Sequence, residues 1–152
     1  MQNISFEIVT EKEFPLIADW YLNEWKIPFD KTIQNLKQVN DDPFQLQVLM
    51  RIDGRPVSCG GVYHHVGLLD REPRFRIYKN WLALVYTIPS ERKKGYGAIL
   101  CENIQERSKK MGLERLYLFT DTAEKLYKRL GWSELERLSL VGRNIVVMER
   151  DL

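Results

Sequence analysis

The sequence predicts an α/β (α+β) protein: a single domain over residues 1–152 in which a mixed, mostly antiparallel central sheet of about six or seven strands is flanked by about four helices. Two observations support this prediction. Short β-type apolar runs and longer helix-type patterns follow one another in the order β-α-α-β-β-β-α-β-α-β-β. Near the middle, the apolar run Trp81–Thr87, which is predicted as a strand buried on both faces, leads through a glycine-containing turn into a helix pattern. A chain of 152 residues, 44% of them hydrophobic, suits one core.

The N-terminal part is predicted as a strand and two helices. Residues 4–9 form a β-type run, and Thr10 and Glu13 have the spacing of a capping box, in which each side chain bonds the other residue's backbone N–H. A helix with one apolar face follows and ends at Pro28. Asp30 is predicted to cap a second, short helix.

The next part is predicted as a β-hairpin. Residues 44–52 alternate as a half-buried strand, and Asp53-Gly54 is a hairpin turn signal. The returning strand contains Gly60 and Gly61, which indicate a bulge or a close backbone approach. The charged stretch 67–80 then predicts a long loop or a splayed hairpin arm.

The turn at residues 92–97, Arg-Lys-Lys-Gly-Tyr-Gly, is the first functional signal. Where a strand enters a helix through glycines, the first N–H groups of the helix have no partner within it and can converge on an anion. Gly95 and Gly97 leave room there, and three basic side chains add positive charge. We therefore expect a phosphate group at this turn.

The C-terminal part is predicted as a strand, a short helix and a hairpin. The strand covers residues 115–120, Asp121 caps the helix, and Gly131 ends it. Residues 135–140 and 144–149 then pair as two strands. The helix carries Ala123-x-x-Leu126-Tyr127-x-x-Leu130-Gly131-Trp132.

The R-x-x-G-x-G turn between strand and helix, together with the downstream A-x-x-L-Y-x-x-L-G-W segment, resembles the GCN5-related N-acetyltransferase (GNAT) superfamily over residues 81–132. Over residues 44–66 and 133–149 only the order of the strands agrees. The resemblance implies acetyl-CoA as acyl donor and acyl transfer to an amine. It also implies that the Trp81 and Arg115 strands are parallel and diverge, so that the pantetheine arm enters between them.

The resemblance implies a cofactor site formed by the turn and by the strand before it. Backbone N–H groups of the turn would bind the pyrophosphate, a basic side chain would meet the ribose 3′-phosphate, and the strand would bond the pantetheine amides. The expected cofactor-binding residues are Val85, Tyr86, Thr87, Arg92, Lys93, Lys94, Gly95, Tyr96, Gly97 and Ala98.

Tyr127 stands at the family's tyrosine position, which implies that it donates a proton to the departing CoA thiolate; packing in an apolar helix face is the alternative. The family's asparagine has no counterpart, and Phe119 stands where the family has its glutamate base. Glu24 and His65 are therefore the preferred candidates for the base. Other acidic or histidine side chains remain open as bases: His64, Asp70, Glu72 and Asp121.

Contacts with the acceptor amine are expected from Trp25, Trp81 and Asp121, although packing is an alternative role for Trp81. The acceptor can be a small molecule or a peptide or protein amine. A non-catalytic acyl-CoA-binding module is the alternative function, and such a module could dispense with Tyr127. Neither cysteine lies near a histidine in sequence, so direct transfer in a ternary complex is expected.

Composition excludes several classes of partner. The net charge is +2, with 23 basic residues interleaved with 21 acidic ones, which predicts no nucleic-acid partner. Cys59 and Cys101 lack neighbouring metal ligands, so we expect no metal and a reduced, cytoplasmic protein. No apolar stretch approaches the length of a membrane span, so no membrane partner is expected. Both a monomer and a homodimer remain open.

Overall fold

The computed structural model describes residues 2–152, and its strands form one seven-stranded sheet in the order β1-β2-β3-β4-β5-β7-β6. The strands are β1 (Ile4–Ile8), β2 (Leu46–Ile52), β3 (Arg55–Tyr63), β4 (Trp81–Thr87), β5 (Arg115–Thr120), β6 (Ser133–Leu140) and β7 (Arg143–Asp151). The helices are α1 (Phe14–Trp25), α2 (Phe29–Asn40), α3 (Leu68–Arg71), α4 (Tyr96–Lys110) and α5 (Glu124–Arg129). Within the described residues, β4 and β5 are the one parallel pair, which confirms the predicted mixed, mostly antiparallel sheet.

Helices cover both faces of the sheet. One face packs against α1 and α2, and the other packs against α4 and α5. The predicted capping box precedes α1: the Thr10 N–H donates to Glu13 Oε1 over 3.0 Å. The prediction that β2 is half-buried is wrong, since its residues 46–50 are all buried. The physical reason is that α1 and α2 cover the face that the alternating pattern assigns to solvent.

The strand β4 is the point at which the sheet opens. Its register with β5 is limited to Trp81 opposite Tyr117, after which the two strands separate. The prediction that β4 is buried on both faces is therefore wrong for its middle residues, because Ala83, Leu84 and Val85 are only partly buried. This divergence agrees with the one that the family resemblance implies.

A bulge in β4 accompanies the separation. Opposite β3, the pairing passes from Cys59–Tyr86 to Gly61–Ala83, so that two residues of β4 face Gly60 alone. One of them, Leu84, has φ +56°, a left-handed conformation that costs a non-glycine residue about 1–2 kcal/mol. A Cβ on Gly60 would lie 3.1 Å from Val85 Cγ2. The predicted close approach at these glycines is confirmed.

The stretch 67–80 is compact rather than an open loop. It contains α3 and a 3₁₀ segment, Pro73–Ile77, and it is anchored by buried apolar side chains: Leu68, Leu69 and Phe75. The charged residues indicate that this stretch lies at the surface, but they do not indicate that its apolar side chains are packed in the core. Two predicted helix caps are also wrong. Pro28 rather than Asp30 occupies the N-cap of α2, and before α5 the Thr120 hydroxyl accepts from the Ala123 N–H over 3.0 Å.

Candidate active site

A row of backbone N–H groups is exposed where β4 leads into α4. The first helical bond of α4 runs from the Ile99 N–H to the Gly95 carbonyl over 3.2 Å. Within residues 2–152, the N–H groups of residues 93–98 make no hydrogen bond, because they precede that bond and no side chain caps the helix. They form a concentrated set of donors at the positive end of the helix dipole. We call this set the N–H cradle.

Two glycines keep the cradle accessible for different reasons. Gly95 has φ +86°, which requires a residue that tolerates the left-handed region, and nothing lies within 4 Å of a Cβ built on it. Gly97 has no such backbone requirement, and a Cβ there would meet only the Thr87 hydroxyl oxygen, at 3.9 Å. The space in front of the cradle is therefore open, and the donors fit a pyrophosphate group.

The lysines of the turn differ in their surroundings. Lys94 Nζ lies 3.0 Å from Glu91 Oε2, and Glu91 also pairs with Arg55 over 2.7 Å. Lys93 has φ +66° and forms no ion pair with any residue in the described part of the chain. An anion at the cradle could therefore meet Lys93 without breaking an existing contact.

Arg92 is directed away from the cradle. Its Nε donates to the Thr87 carbonyl over 2.8 Å, its Nη2 donates to Glu24 Oε2 over 2.8 Å, and its guanidinium lies over the Tyr86 ring at 5.4 Å. Its side chain thus joins the turn to the end of α1. The position of this side chain in the structure does not support its predicted phosphate contact. Of the two lysines that follow it, Lys94 is paired with Glu91, and Lys93 has no ion pair in the described residues.

Aromatic rings line the α1 side of the β4 end. The Tyr86 ring lies 5.2 Å from Trp20 and 6.1 Å from Trp25, and Trp25 remains 43% exposed. Glu24 stands beside them in its pair with Arg92. The predicted acceptor residue Trp25 and the predicted base Glu24 therefore lie together, next to the strand that leads to the cradle.

Two further aromatic residues lie on the face of the sheet that packs against α1 and α2. Phe119 of β5 is 36% exposed, and its ring lies 6.4 Å from Trp81. Trp81 itself is fully buried, and its indole N–H donates to the Tyr78 carbonyl over 2.9 Å. This burial does not support the prediction that Trp81 contacts the acceptor, since no amine can reach the ring. Phe119 is the exposed aromatic residue on that strand.

Tyr127 lies on α5 against α4, and its surroundings keep it protonated. Burial raises the pKa of the Tyr127 phenol, and the Cys101 thiol that it faces raises it further. Burial also raises the pKa of Cys101 to about 12. The ring contacts Trp132 edge to face, with centroids 6.0 Å apart. Tyr127 is thus an available proton donor at neutral pH, and it also packs in the core as the alternative prediction had it.

The predicted base His65 lies at the far end of the sheet from the cradle. It follows β3, whose last residue, Tyr63, pairs with Trp81 at the start of β4, whereas the cradle follows the end of β4. The start of β4 at Trp81 and its end at Thr87 are six residue steps apart, which corresponds to roughly 20 Å. His65 Nε2 lies 2.9 Å from Asp70 Oδ1, and both side chains are exposed.

Asp121 stands on the other rim of the opening, after β5. Its Oδ2 lies 3.4 Å from Arg143 Nη1 at the tip of the β6–β7 hairpin. The two carboxylates expected near the acceptor, Glu24 and Asp121, are therefore each paired with an arginine. Among residues 2–152, no group of three or more histidine, cysteine, aspartate or glutamate side chains is arranged to hold a metal ion.

A buried polar cluster beneath the bulge was not predicted from the sequence. Tyr21 and Gln47 are fully buried, and the Tyr21 hydroxyl donates to the Leu84 carbonyl over 2.7 Å. The pattern placed Gln47 on a solvent face and Tyr21 on an apolar helix face. A glutamine on a buried face of β2 could have indicated such a cluster. The sequence does not show that this face is buried, because that depends on helices covering both faces of the sheet.

Comparison with known proteins agrees with this geometry. Residues 11–132 match the model of the acetyltransferase (GNAT) family. The chain therefore belongs to the acetyltransferase (GNAT) family, which confirms the predicted family and enzyme class. A search of curated proteins gave no match.

Solved structures share the fold at low sequence identity. A GNAT-family acetyltransferase from Streptococcus pneumoniae is 14% identical with a TM-score of 0.76, and each chain covers 99% of the other. A ribosomal-protein-alanine N-acetyltransferase from Brucella melitensis is 18% identical with a TM-score of 0.79, covering 97% of this chain and 99% of that one. An aminoglycoside 6′-N-acetyltransferase complexed with coenzyme A is 14% identical with a TM-score of 0.73, covering 97% and 96%. In the described part of the chain, no helix is both long and apolar enough to cross a membrane.

Proposed function

We propose that this protein transfers an acetyl group from acetyl-CoA to a primary amine by direct transfer in a ternary complex. The observation that carries the proposal is the opening between β4 and β5, which begins beside the N–H cradle and has Glu24, Trp25 and Phe119 on its α1 side. Acetyl-CoA supplies the acetyl thioester. The remaining steps depend on residues of this chain.

The cradle binds the pyrophosphate of the cofactor. Its donors are the N–H groups of residues 93–98, and Lys93 adds a positive charge that has no partner in the described residues. Beyond β4's pair with β5 at Trp81, the backbone of Val85, Tyr86 and Thr87 has no strand partner on the β5 side. The Tyr86 carbonyl accepts from the Ser58 hydroxyl and the Thr87 carbonyl from Arg92 Nε, so the pantetheine amides are proposed to bond the remaining backbone groups of this segment.

Tyr127 acts as the proton donor to the thiolate that leaves. The raised pKa makes the Tyr127 phenol a weaker acid than the thiol of CoA, whose pKa is about 8.5, so Tyr127 stabilises the leaving thiolate by donating a hydrogen bond while it keeps most of its own proton. Cys59 and Cys101 are both fully buried, and burial raises the pKa of each to about 12. Neither offers a thiolate nucleophile at neutral pH, which supports direct transfer over a covalent acyl-enzyme.

The acceptor binds on the α1 side of the opening. Exposed Trp25 and Phe119 provide apolar contact there, and Glu24 is the nearest candidate for the base because His65 lies at the other end of the sheet. An amine that reaches Glu24 competes with Arg92 for its carboxylate. Small-molecule amines and peptide amines both fit this description, and both belong in the test.

One observation favours a non-catalytic acyl-CoA-binding module as the second candidate. Tyr127 faces Cys101, and Glu24 is held by Arg92, so both proposed catalytic groups have partners already. A module of that kind would bind acetyl-CoA at the cradle and would not consume it.

The two candidates are distinguished by measuring binding and turnover together. Acetyl-CoA affinity is determined by calorimetry, and CoA release is followed across polyamines, amino acids, aminoglycosides and peptide N-termini. Turnover with at least one amine supports the acetyltransferase. Binding with no turnover across the set supports the module, and failure of the folded protein to bind acetyl-CoA contradicts both.

A further inference from the structure

We propose that Tyr21 is a positioning residue for the reaction, because its hydroxyl holds the bulge of β4 in the conformation that opens the sheet. The proposal rests on the proposed function of the opening between β4 and β5. It assigns a role to the hydroxyl of a buried α1 side chain; this hydroxyl does not contact the cofactor turn, and the ring of Tyr21 packs on Trp25 with the ring centroids 5.4 Å apart.

The contact is specific to the strained residue. The Tyr21 O–H donates to the carbonyl oxygen of Leu84 over 2.7 Å, and Leu84 is the residue of β4 with φ +56°. A left-handed conformation of a non-glycine residue persists where its surroundings determine it from more than one side. The Tyr21 hydroxyl supplies one such constraint, and the absence of a Cβ at Gly60, against which Val85 packs, supplies another.

Tyr21 is itself fixed by a chain of buried hydrogen bonds. Gln47 Nε2 donates to the Tyr21 hydroxyl oxygen over 2.9 Å, and the Tyr63 hydroxyl donates to Gln47 Oε1. The Cys59 sulfur lies 3.3 Å from the Tyr21 oxygen. Within residues 2–152, no buried side-chain polar atom is left without a partner. A fully satisfied network of this kind is rigid, so the Tyr21 oxygen has a defined position from which to hold Leu84.

The bulge decides where the following residues point. Val85, Tyr86 and Thr87 come directly after Leu84, and they are the part of β4 from which cofactor contacts are expected. If Leu84 relaxed to an extended conformation, β4 would lose its extra residue opposite Gly60, and each later residue would shift in register. The Tyr21 hydroxyl therefore controls the alignment of the reacting part of the opening without contacting it.

The test compares two tyrosines of the same cluster. Tyr21→Phe removes the hydroxyl that bonds Leu84, whereas Tyr63→Phe removes a buried hydroxyl that supports Tyr21 through Gln47 and leaves the bond to Leu84 in place. We expect Tyr21→Phe to lower kcat about tenfold, the effect of about 1.4 kcal/mol. The affinity for CoA should fall less than kcat does, because the cradle has no contact with Tyr21 and only the contacts expected from Val85, Tyr86 and Thr87 are displaced. Tyr63→Phe removes one support of Tyr21 but keeps its bond to Leu84, so it should lower kcat by less than about threefold.

A second readout needs no activity. Amide hydrogen exchange of residues 82–88 in the free protein should be about tenfold faster in Tyr21→Phe than in the wild type, and less than about threefold faster in Tyr63→Phe. Equal exchange and equal kcat in the two variants would overturn the proposal. A wild-type protein that does not turn over acetyl-CoA, but whose variants show the exchange difference, would contradict the proposed function and leave the role of Tyr21 at the bulge supported.

A rescue variant decides the case in which Tyr21→Phe does not fold. Leu84→Gly removes the cost of the positive φ, so the double variant Tyr21→Phe/Leu84→Gly should recover folding and the slow exchange of residues 82–88. Recovery supports the proposal. A double variant that is no better than Tyr21→Phe alone overturns it.

Discussion

At the scale of single residues, the properties of the site depend on whether a side chain is free or already paired. Burial raises the pKa of Tyr127, so it stays protonated even at alkaline pH. Lys93 has no ion-pair partner in the described residues, and Arg92 contacts Glu24 and Thr87. The identities of these residues could be predicted from the sequence because the turn and the tyrosine segment are local patterns. Their partners could not, since Glu24 and Arg92 are far apart in the chain and meet only through the packing of α1.

Replacing Tyr127 tests its role as the acid. Tyr127→Phe should lower kcat by about 100-fold or more, a typical loss for a missing general acid, with little change in acetyl-CoA affinity. Steady-state kinetics and calorimetry measure the two quantities. Tyr78→Phe, which removes a hydroxyl from the segment 67–80, is the control and should retain activity. Unchanged turnover in Tyr127→Phe would remove this residue from the mechanism.

The pH dependence of the reaction follows from the raised pKa of Tyr127. The acid is active in its protonated form, and a raised pKa extends that form to higher pH. Activity should therefore not fall through loss of the Tyr127 proton below about pH 10, the ordinary pKa of a phenol. With an alkylamine acceptor, kcat/KM should instead rise up to about pH 9.5, because the amine loses its proton with a pKa of about 10.4. A tyrosine-dependent fall in the pH profile near pH 9 would contradict the buried environment of this residue.

Gly97 tests the cradle. Its backbone does not require glycine, so Gly97→Trp fills the space in front of the N–H groups without forcing a strained φ. We expect the variant to fold and to lose acetyl-CoA binding, measured by calorimetry together with circular dichroism. Gly67→Trp is the matched control, because Gly67 also has open space around its Cβ position and a negative φ. Normal binding by folded Gly97→Trp would refute the assignment of the turn.

At the scale of elements, the strand–turn–helix unit and the terminal hairpin were predictable because apolar periodicity and turn residues are recorded locally. The bulge in β4 was not, since it depends on Tyr21, Gly60 and Leu84, which come together only in the folded sheet. The compact packing of residues 67–80 was missed for a related reason, whereas the packing role considered for Trp81 agrees with its burial. The pattern identifies apolar residues, and the tertiary structure decides which of them are covered.

The β2–β3 pair depends on Gly61. A Cβ at this position would lie 2.4 Å from the Leu46 carbonyl oxygen and 2.6 Å from Gln47 Oε1, so the backbone of β2 would have to move. Gly61→Ala should therefore lower the free energy of unfolding by about 1–3 kcal/mol, the usual cost of overpacking. Urea unfolding measures the change, with Gly67→Ala as a control at an open position. A stability equal to that of the wild type would mean that the strands separate here without cost.

At the scale of the whole molecule, the sheet consists of two parts that meet weakly. The strands β1 to β4 form one part and β5 to β7 the other, and the direct backbone register between them is the single pair Trp81–Tyr117. The helix α4 packs across strands of the first part and contacts Trp132 through Gln105 on the side of the second. A ligand between β4 and β5 would add contacts where the protein has few of its own.

Cofactor binding should therefore stabilise the fold as a whole. At a free CoA concentration 100 times the Kd, the stabilisation expected from mass action is about 2.7 kcal/mol, and the Tm should rise accordingly. Thermal unfolding with and without CoA measures this, and Gly97→Trp should show no rise. A wild-type Tm that does not change at saturating CoA would contradict a site between the two parts of the sheet.

The position of the Arg92 side chain has a thermodynamic consequence for the two substrates. Arg92 belongs to the turn that carries the cradle, yet its guanidinium contacts Glu24 on the acceptor side and the carbonyl at the end of β4. An acceptor that takes Glu24 from Arg92 thereby changes the restraint on the cofactor turn. Linkage requires the effect to be reciprocal: the factor by which acceptor changes the Kd of cofactor equals the factor by which cofactor changes the Kd of acceptor. For a cofactor bound at the cradle and an acceptor bound at Glu24, as proposed, this one ion pair would make the two affinities interdependent.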